Sequence, residues 1–188
     1  MERSDNRLNK ESWLALALEV LSQEGRAKIQ IEYLAQRLGV TKGSFYAHFP
    51  GRREFITSVA AYWADTLTVN TLKNFSAEEG TAEERLLLLM QGIKNHQLGK
   101  YDLVMRAWAL DEPLVAKQVE KVDQLRFEYI ISLFSEMGFK GAELEMRSML
   151  FQAYHSLSNG LQGTFFEEGR YKHENLRHKF FIQKMDEV

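Results

Sequence analysis

Only two prolines, Pro50 and Pro113, interrupt this 188-residue chain, and both stand at segment boundaries rather than inside a periodic run. Proline removes a backbone donor and clashes with the preceding turn, so a chain nearly free of it can sustain long helices. Its apolar residues follow that period. Trp13, Leu16, Ala17, Val20 and Leu21 recur at i, i+3, i+4, i+7 and i+8, one buried face of a first helix that Gly25 stops. A second, short helix is expected over about 31–38, ending at Gly39, and a third from the N-cap Thr41 to about Phe49. Residues from about 51 to 75 read as one long fourth helix. Pro113 falls in the first turn of a later helix that Gly138 ends. No strand-like alternation persists and no internal repeat occurs. The expectation is an all-α fold of about nine helices. A three-helix N-terminal unit, 1–52, is joined through the long fourth helix to a larger helical domain, 53–188.

Apolar residues make up 45% of the chain, enough for a core of ordinary size. No run of eighteen apolar residues suggests a membrane span, and the polar start "MERSDNRLNKESW" does not read as a signal peptide. Without cysteine there is no disulfide or thiolate metal site, and a cytoplasmic location is expected. The formal net charge of −2 conceals an asymmetry: residues 26–53 hold six basic side chains against Glu32 alone. Such a concentration of positive charge suits a phosphate-bearing partner as well as a solvated face.

That basic region contains "LAQRLGVTKGSFYAHF", residues 34–49. Leu34, Leu38, Val40 and Phe45 can form a small core between two helices. Ala35 falls where a larger side chain would wedge the helices apart, and Gly39 where a positive φ is easiest without a Cβ. This is the pattern of a helix-turn-helix whose second helix can enter a major groove. Its outward residues Thr41, Lys42, Ser44, Tyr46 and His48 can meet phosphates or base edges. Phe45 and Phe49 are expected in the core.

The longer stretch "IEYLAQRLGVTKGSFYAHFPGRREFI" resembles the N-terminal signature of the TetR (tetracycline-repressor) family of transcriptional regulators. The matching residues are Leu34, Ala35, Gly39, Val40, Thr41, Gly43, Ser44, Phe45, Tyr46, Phe49 and Arg52, within about residues 13–56. Three positions depart from the usual pattern. Arg52 stands where Lys is usual, Gln30 where a Thr often caps the second helix, and Gly51 where Ser or Asn precedes the fourth. The resemblance implies DNA contacts from Gln30, Thr41, Lys42, Gly43, Ser44, Tyr46, His48 and Arg52. Tyr46 would contact a phosphate, and the missing side chain of Gly43 would let the backbone approach the DNA. It also implies a homodimer on a palindromic double-stranded operator, most simply a repressor, released by a small-molecule inducer bound in the larger domain.

The residues beyond the signature permit that reading. His96, Tyr101, Met105 and Trp108 combine aromatic and polar character and are the leading candidates to line an apolar pocket. Ser148, Gln152, Ser156, Gly160, Gly163 and Thr164 give the penultimate helix a side poor in bulk beside Leu150, Phe151, Tyr154, Leu157 and Leu161. The last helix adds Leu176, Phe180, Phe181 and Met185. A four-helix interface between twin subunits is expected there, with the helix after Pro113 as a competing candidate. No enzyme is expected. The five histidines are scattered, no His-Glu-x-x-His helix occurs, and "SNGLQGTFF" lacks the lysine of a phosphate-binding loop. No cofactor is implied. A helical enzyme or a protein-binding adaptor without DNA affinity is the alternative.

Overall fold

The computed structural model describes residues 9–95, 99–161, 164–169 and 172–184, and every regular element among them is helical. Helix α1, Lys10–Glu24, starts where the Asn9 side chain accepts from the Ser12 amide at 2.9 Å, and stops at Gly25 with φ 83°. Its inner face is the periodic set read from the sequence, with Trp13, Ala17 and Val20 fully buried. A 3-10 turn over Arg26–Lys28 leads to α2, Ile31–Leu38. Gly39 follows with φ 69°, and α3 runs Lys42–His48.

Helix α4, Arg52–Ala64, continues through a π-turn at Asp65–Val69 into α5, Asn70–Ser76. The long fourth helix is therefore one rod carrying a π-bulge, a device that often marks functional positions. Thr81 and Glu84 cap the next helix reciprocally: the Thr81 amide donates to Glu84 Oε2 at 2.8 Å, and the Glu84 amide to Thr81 Oγ1 at 3.2 Å. Helices α6, Ala82–Asn95, α7, Asp102–Ala109, and α8, Pro113–Glu136, follow. Then come α9, Gly141–Leu157, α10, Thr164–Gly169, and α11, Glu174–Ile182. Two breaks raise the expected nine segments to eleven among the described residues: the π-turn, and a 3-10 turn at Ser158–Gly160 that ends α9.

Two core clusters hold these helices. The first joins α1 to α4 with Met105 and Trp108 of α7 and Val115, Val119 and Val122 of α8. The second gathers Leu86 and Met90 of α6, Phe134 of α8, Phe151 of α9 and Phe181 of α11. Helix α8, ~36 Å long at ~1.5 Å per residue, contributes to both. Each large apolar side chain so buried contributes ~1.5–3 kcal/mol. No described helix is long and apolar enough to cross a membrane.

The orientation of α9 differs from the sequence expectation. Ser148 and Ser156, placed on the face poor in bulk, are buried inside the subunit, while Met146, Met149, Leu150 and Leu157 are exposed. Small residues serve close packing inside the subunit, and the Ser148 hydroxyl is satisfied within its own helix by the Leu144 carbonyl at 2.8 Å. Gly163 and Met185 lie outside the described residues.

Candidate nucleic-acid interface

The underside of α3 is an aromatic block. Phe45 and Phe49 are fully buried. Phe45 lies 5.4 Å from the Trp13 ring and 5.1 Å from Phe55, and Phe49 lies 4.9 Å from Phe55. Edge-to-face contacts at such spacings fix ring positions as well as burying area. A seven-residue helix is too short to hold itself in water, so this anchoring sets where its outer face points. Its outer face carries Thr41, Lys42, Gly43 and Tyr46, all exposed, with Ser44 and His48 half-buried at its flanks. Tyr46 is 58% exposed although its ring touches Phe45 edge-on at 5.3 Å. Its hydroxyl has no hydrogen-bond partner among the described residues.

The turn into α3 is built by Gly39, whose left-handed backbone has open space around its absent Cβ. Glycine is needed there for conformation alone. Gly43 differs. Its φ is not positive, and a Cβ would meet only Thr41 Oγ1 at an ordinary 3.5 Å. Nothing within the subunit requires glycine at this exposed helical position, where it costs ~1 kcal/mol relative to alanine.

Charge on this face is partly paired in the free protein. Lys42 forms an ion pair with Glu32 of α2, which holds the Glu32 carboxyl below and the Lys42 ammonium above their ordinary ranges through that hydrogen bond. Both groups are solvent-exposed, so a phosphate can displace the carboxylate at little cost. Glu24 accepts from Tyr33 at 2.5 Å and Arg37 at 2.7 Å, and the Tyr33 hydrogen bond is the larger cause of its lowered pKa. Arg52 donates to the Ile29 carbonyl at 3.1 Å, tying the start of α4 to the turn before α2. Gln30 donates to the Ala27 carbonyl at 3.0 Å instead of capping α2, and Thr41 and Gly51 supply no side-chain cap either.

A short exposed helix on a buried aromatic base, set by a left-handed glycine across a preceding helix, is a helix-turn-helix DNA-reading unit. Residues 14–59 match the model of the family described as bacterial regulatory proteins, tetR family. The whole fold is similar to solved structures. A transcriptional regulator from Rhodococcus sp. Rha1 superposes with a TM-score of 0.73 at 18% identity, over 95% of this chain and 98% of that one. A TetR transcriptional regulator from Legionella pneumophila gives 0.72 at 17%, over 97% of both chains. The fatty acid degradation regulator FadR from Bacillus halodurans gives 0.62 at 15%, over 100% of both. No curated protein sequence matches the chain.

A cavity of about 50 Å3 lies among the π-turn and helices α5 to α9. Leu72, Leu89, Ile93, Ile130 and Phe151 give it an apolar wall. Arg126 of α8 spans one side, donating to Asp102 of α7 at 2.5 and 3.3 Å and through Nε to Thr68 of the π-turn at 3.1 Å. Asp102 and Thr68 are both 1% exposed, so the guanidinium binds two elements together out of water. Tyr129, Gln152 and His155 complete the lining.

Of the pocket residues read from the sequence, those described do not line this cavity. Met105 and Trp108 are buried in the first core, Tyr101 packs against it, and His96 lies outside the described residues. Asp102, Arg126, Gln152 and His155 were not singled out as lining residues. The i, i+3 pair Gln152 and His155 was a legible hint of one polar face. That Arg126 and Asp102 line the same cavity depends on how α7, α8 and α9 pack, which helical periodicity leaves open.

Proposed function

We propose that this TetR-family regulator is a ligand-responsive repressor, acting in the cytoplasm as a homodimer on an inverted-repeat operator and released by a small-molecule inducer. The observation that carries the DNA-contact assignment is Gly43: an exposed helical glycine with no internal reason to be glycine, beside Lys42 and Tyr46 on the outer face of α3. Residues 1–52 read DNA in this proposal, and 53–188 bind ligand and dimerise. Thr41, Lys42, Ser44 and His48 meet phosphates or base edges. Tyr46 and Arg52 meet phosphates, Gly43 lets the backbone approach, and Gln30 sits at the phosphate flank of α2. No catalytic role is assigned to the chain.

Dimerisation is placed on α9, where Met146, Met149, Leu150, Ala153 and Leu157 form an exposed stripe at helical spacing. A groove beside it, of about 720 Å3, is bordered by Phe127 and Ile131 of α8. Contiguous exposed apolar surface of this kind marks association sites. The inducer is placed in the cavity between the π-turn and α9. Tyr101, Met105 and Trp108 stand one step back: α7 meets the cavity with Asp102 and the first core with Met105 and Trp108. The π-turn meets the cavity with Leu67 and Thr68, and the same rod packs Phe55, Ile56 and Val59 into the reading head. Ligand binding therefore moves the head if it favours one position of these two bridges over another.

Selection of bound duplexes from a random pool, at moderate salt and with protein refolded free of ligand, tests the reading. The expected product is an inverted repeat with half-site centres ~34–36 Å apart or a small multiple of that. Affinity should fall steeply with salt. A folded protein that enriches no sequence contradicts the DNA-reading assignment; enrichment of single half-sites contradicts the dimer.

A further inference from the structure

We propose that the cavity is specific for a small uncharged ligand carrying a hydroxyl or similar hydrogen-bonding group on an apolar body, received by Tyr129, Gln152 and His155. The inference rests on the reading that a regulatory ligand enters this cavity, and it adds the chemistry. Tyr129 Oη, Gln152 Oε1 and His155 Nε2 are buried and have no hydrogen-bond partner among the described residues, although nearly every buried polar atom finds one. All three residues line this cavity. Gln152 and His155, three residues apart on α9, share one helical face, and His155 is only 8% exposed. Gln152 is held by its other end, its amide nitrogen donating to the Asp123 carbonyl at 3.1 Å. Its carbonyl is thus an oriented acceptor.

Charge complementarity excludes ions. Among the described residues the only cation in the lining is Arg126, whose three nitrogens are engaged by Asp102 and Thr68, and Asp102 is countered by Arg126. Burial, helped by the nearby Arg177 charge, pushes the His155 imidazole down to about 3, so it stays neutral near pH 7. Burial likewise raises Tyr129 and keeps it a phenol. A charged ligand would lose its hydration and find no free counter-charge among these side chains. A wholly apolar ligand would leave three polar atoms unsatisfied.

Size adds a consequence. An apolar cavity of ~150 Å3 takes benzene, and this one is about 50 Å3. A ligand of more than a few heavy atoms must part the wall, and part of that wall is Leu67 and Thr68 of the π-turn.

The test uses four congeners of one size: 1-butanol, butyrate, butylammonium and 1-chlorobutane, titrated into the full chain while methyl NMR signals of Leu67, Leu72, Ile93 and Ile130 are followed. 1-Butanol should shift these signals saturably, with the two ions inert and chlorobutane weaker. Tyr129→Phe, which removes one oxygen and no internal hydrogen bond, should weaken butanol on the order of tenfold and leave chlorobutane unchanged. Butyrate or butylammonium binding as well as butanol at the same methyls would overturn the uncharged class while leaving the cavity a ligand site. Chlorobutane equal to butanol, with no effect of Tyr129→Phe, would overturn the polar recognition. No shift with any congener would overturn both this inference and the placement of the inducer.

Discussion

If Gly43 meets DNA as proposed, folding and DNA reading pull in opposite directions there. Alanine there fits sterically and suits a helix better, so Gly43→Ala should raise stability by ~0.5–1 kcal/mol in urea denaturation. The same methyl stands on the outer face of α3, so operator affinity measured by fluorescence anisotropy should drop. A variant both more stable and equally tight on DNA would remove Gly43 from the interface. His155 carries a second residue-scale prediction. Its folded pKa of about 3 lies below the ordinary ~6.5 of an unfolded histidine, chiefly through burial. Above pH ~6.5 both states are neutral and the group contributes no pH dependence. Between ~6.5 and 3 the unfolded chain binds the extra proton, so stability is lost as pH falls, by up to ~1.4 kcal/mol per pH unit. His155→Phe should flatten the decline in unfolding free energy between pH 6 and pH 4; parallel slopes in the two proteins would mean that His155 titrates normally. Gly39 and Ala35 were legible from sequence because a turn and a close helix approach each demand a residue type. The His155 environment was not, since its neighbours come from other helices.

Between elements, the end of the rod meets α6 through one close contact. A Cβ at Gly92 would lie 2.1 Å from Phe75 Cζ, far inside contact distance, so α6 approaches the α5 ring at a position only glycine allows. Overpacking of this kind costs ~1–3 kcal/mol, set against a gain of ~1 kcal/mol from replacing a helical glycine by alanine. Gly92→Ala should therefore destabilise the wild type, yet stabilise a Phe75→Ala background, a sign reversal that a double-mutant cycle reads directly. Additive effects would show that the ring simply turns aside. The helices themselves were largely legible, as the α1 face and the Pro113 start of α8 illustrate. The π-turn was not, because 65–69 continues the helical period and the wider backbone bond, from the Asn70 amide to the Asp65 carbonyl, leaves no mark on it. The direction of α9 was also hidden. Ser148 and Met149 are adjacent in sequence, and either side of the helix could have served as the inner one.

For the whole molecule, the proposed dimer rests on the stripe of α9. Met146 and Met149 are 60% and 65% exposed, and Leu150 and Leu157 about half exposed, on one side of a helix whose other side is already committed to the second core. So much apolar surface in one row is unfavourable in water, and in the proposed dimer a second copy related by a two-fold axis removes it. Methionine side chains suit such a face, since they adapt to a partner without a fixed shape. Met149→Glu places a charge in the middle of the row. Paired with its symmetry mate it sets like charges in a desolvated interface, while in a monomer it is merely a surface glutamate. The variant should therefore keep the helical circular dichroism and unfolding midpoint of a folded subunit but run as a monomer by light scattering. Its affinity for a full inverted repeat should drop on the order of 100- to 10,000-fold, because the second head no longer binds intramolecularly, while affinity for an isolated half-site stays nearly unchanged. Loss of half-site binding as well would point to unfolding of the subunit. A variant that remains dimeric would move the interface off α9, with the exposed Leu176 and Phe180 of α11 as the next apolar surface to test.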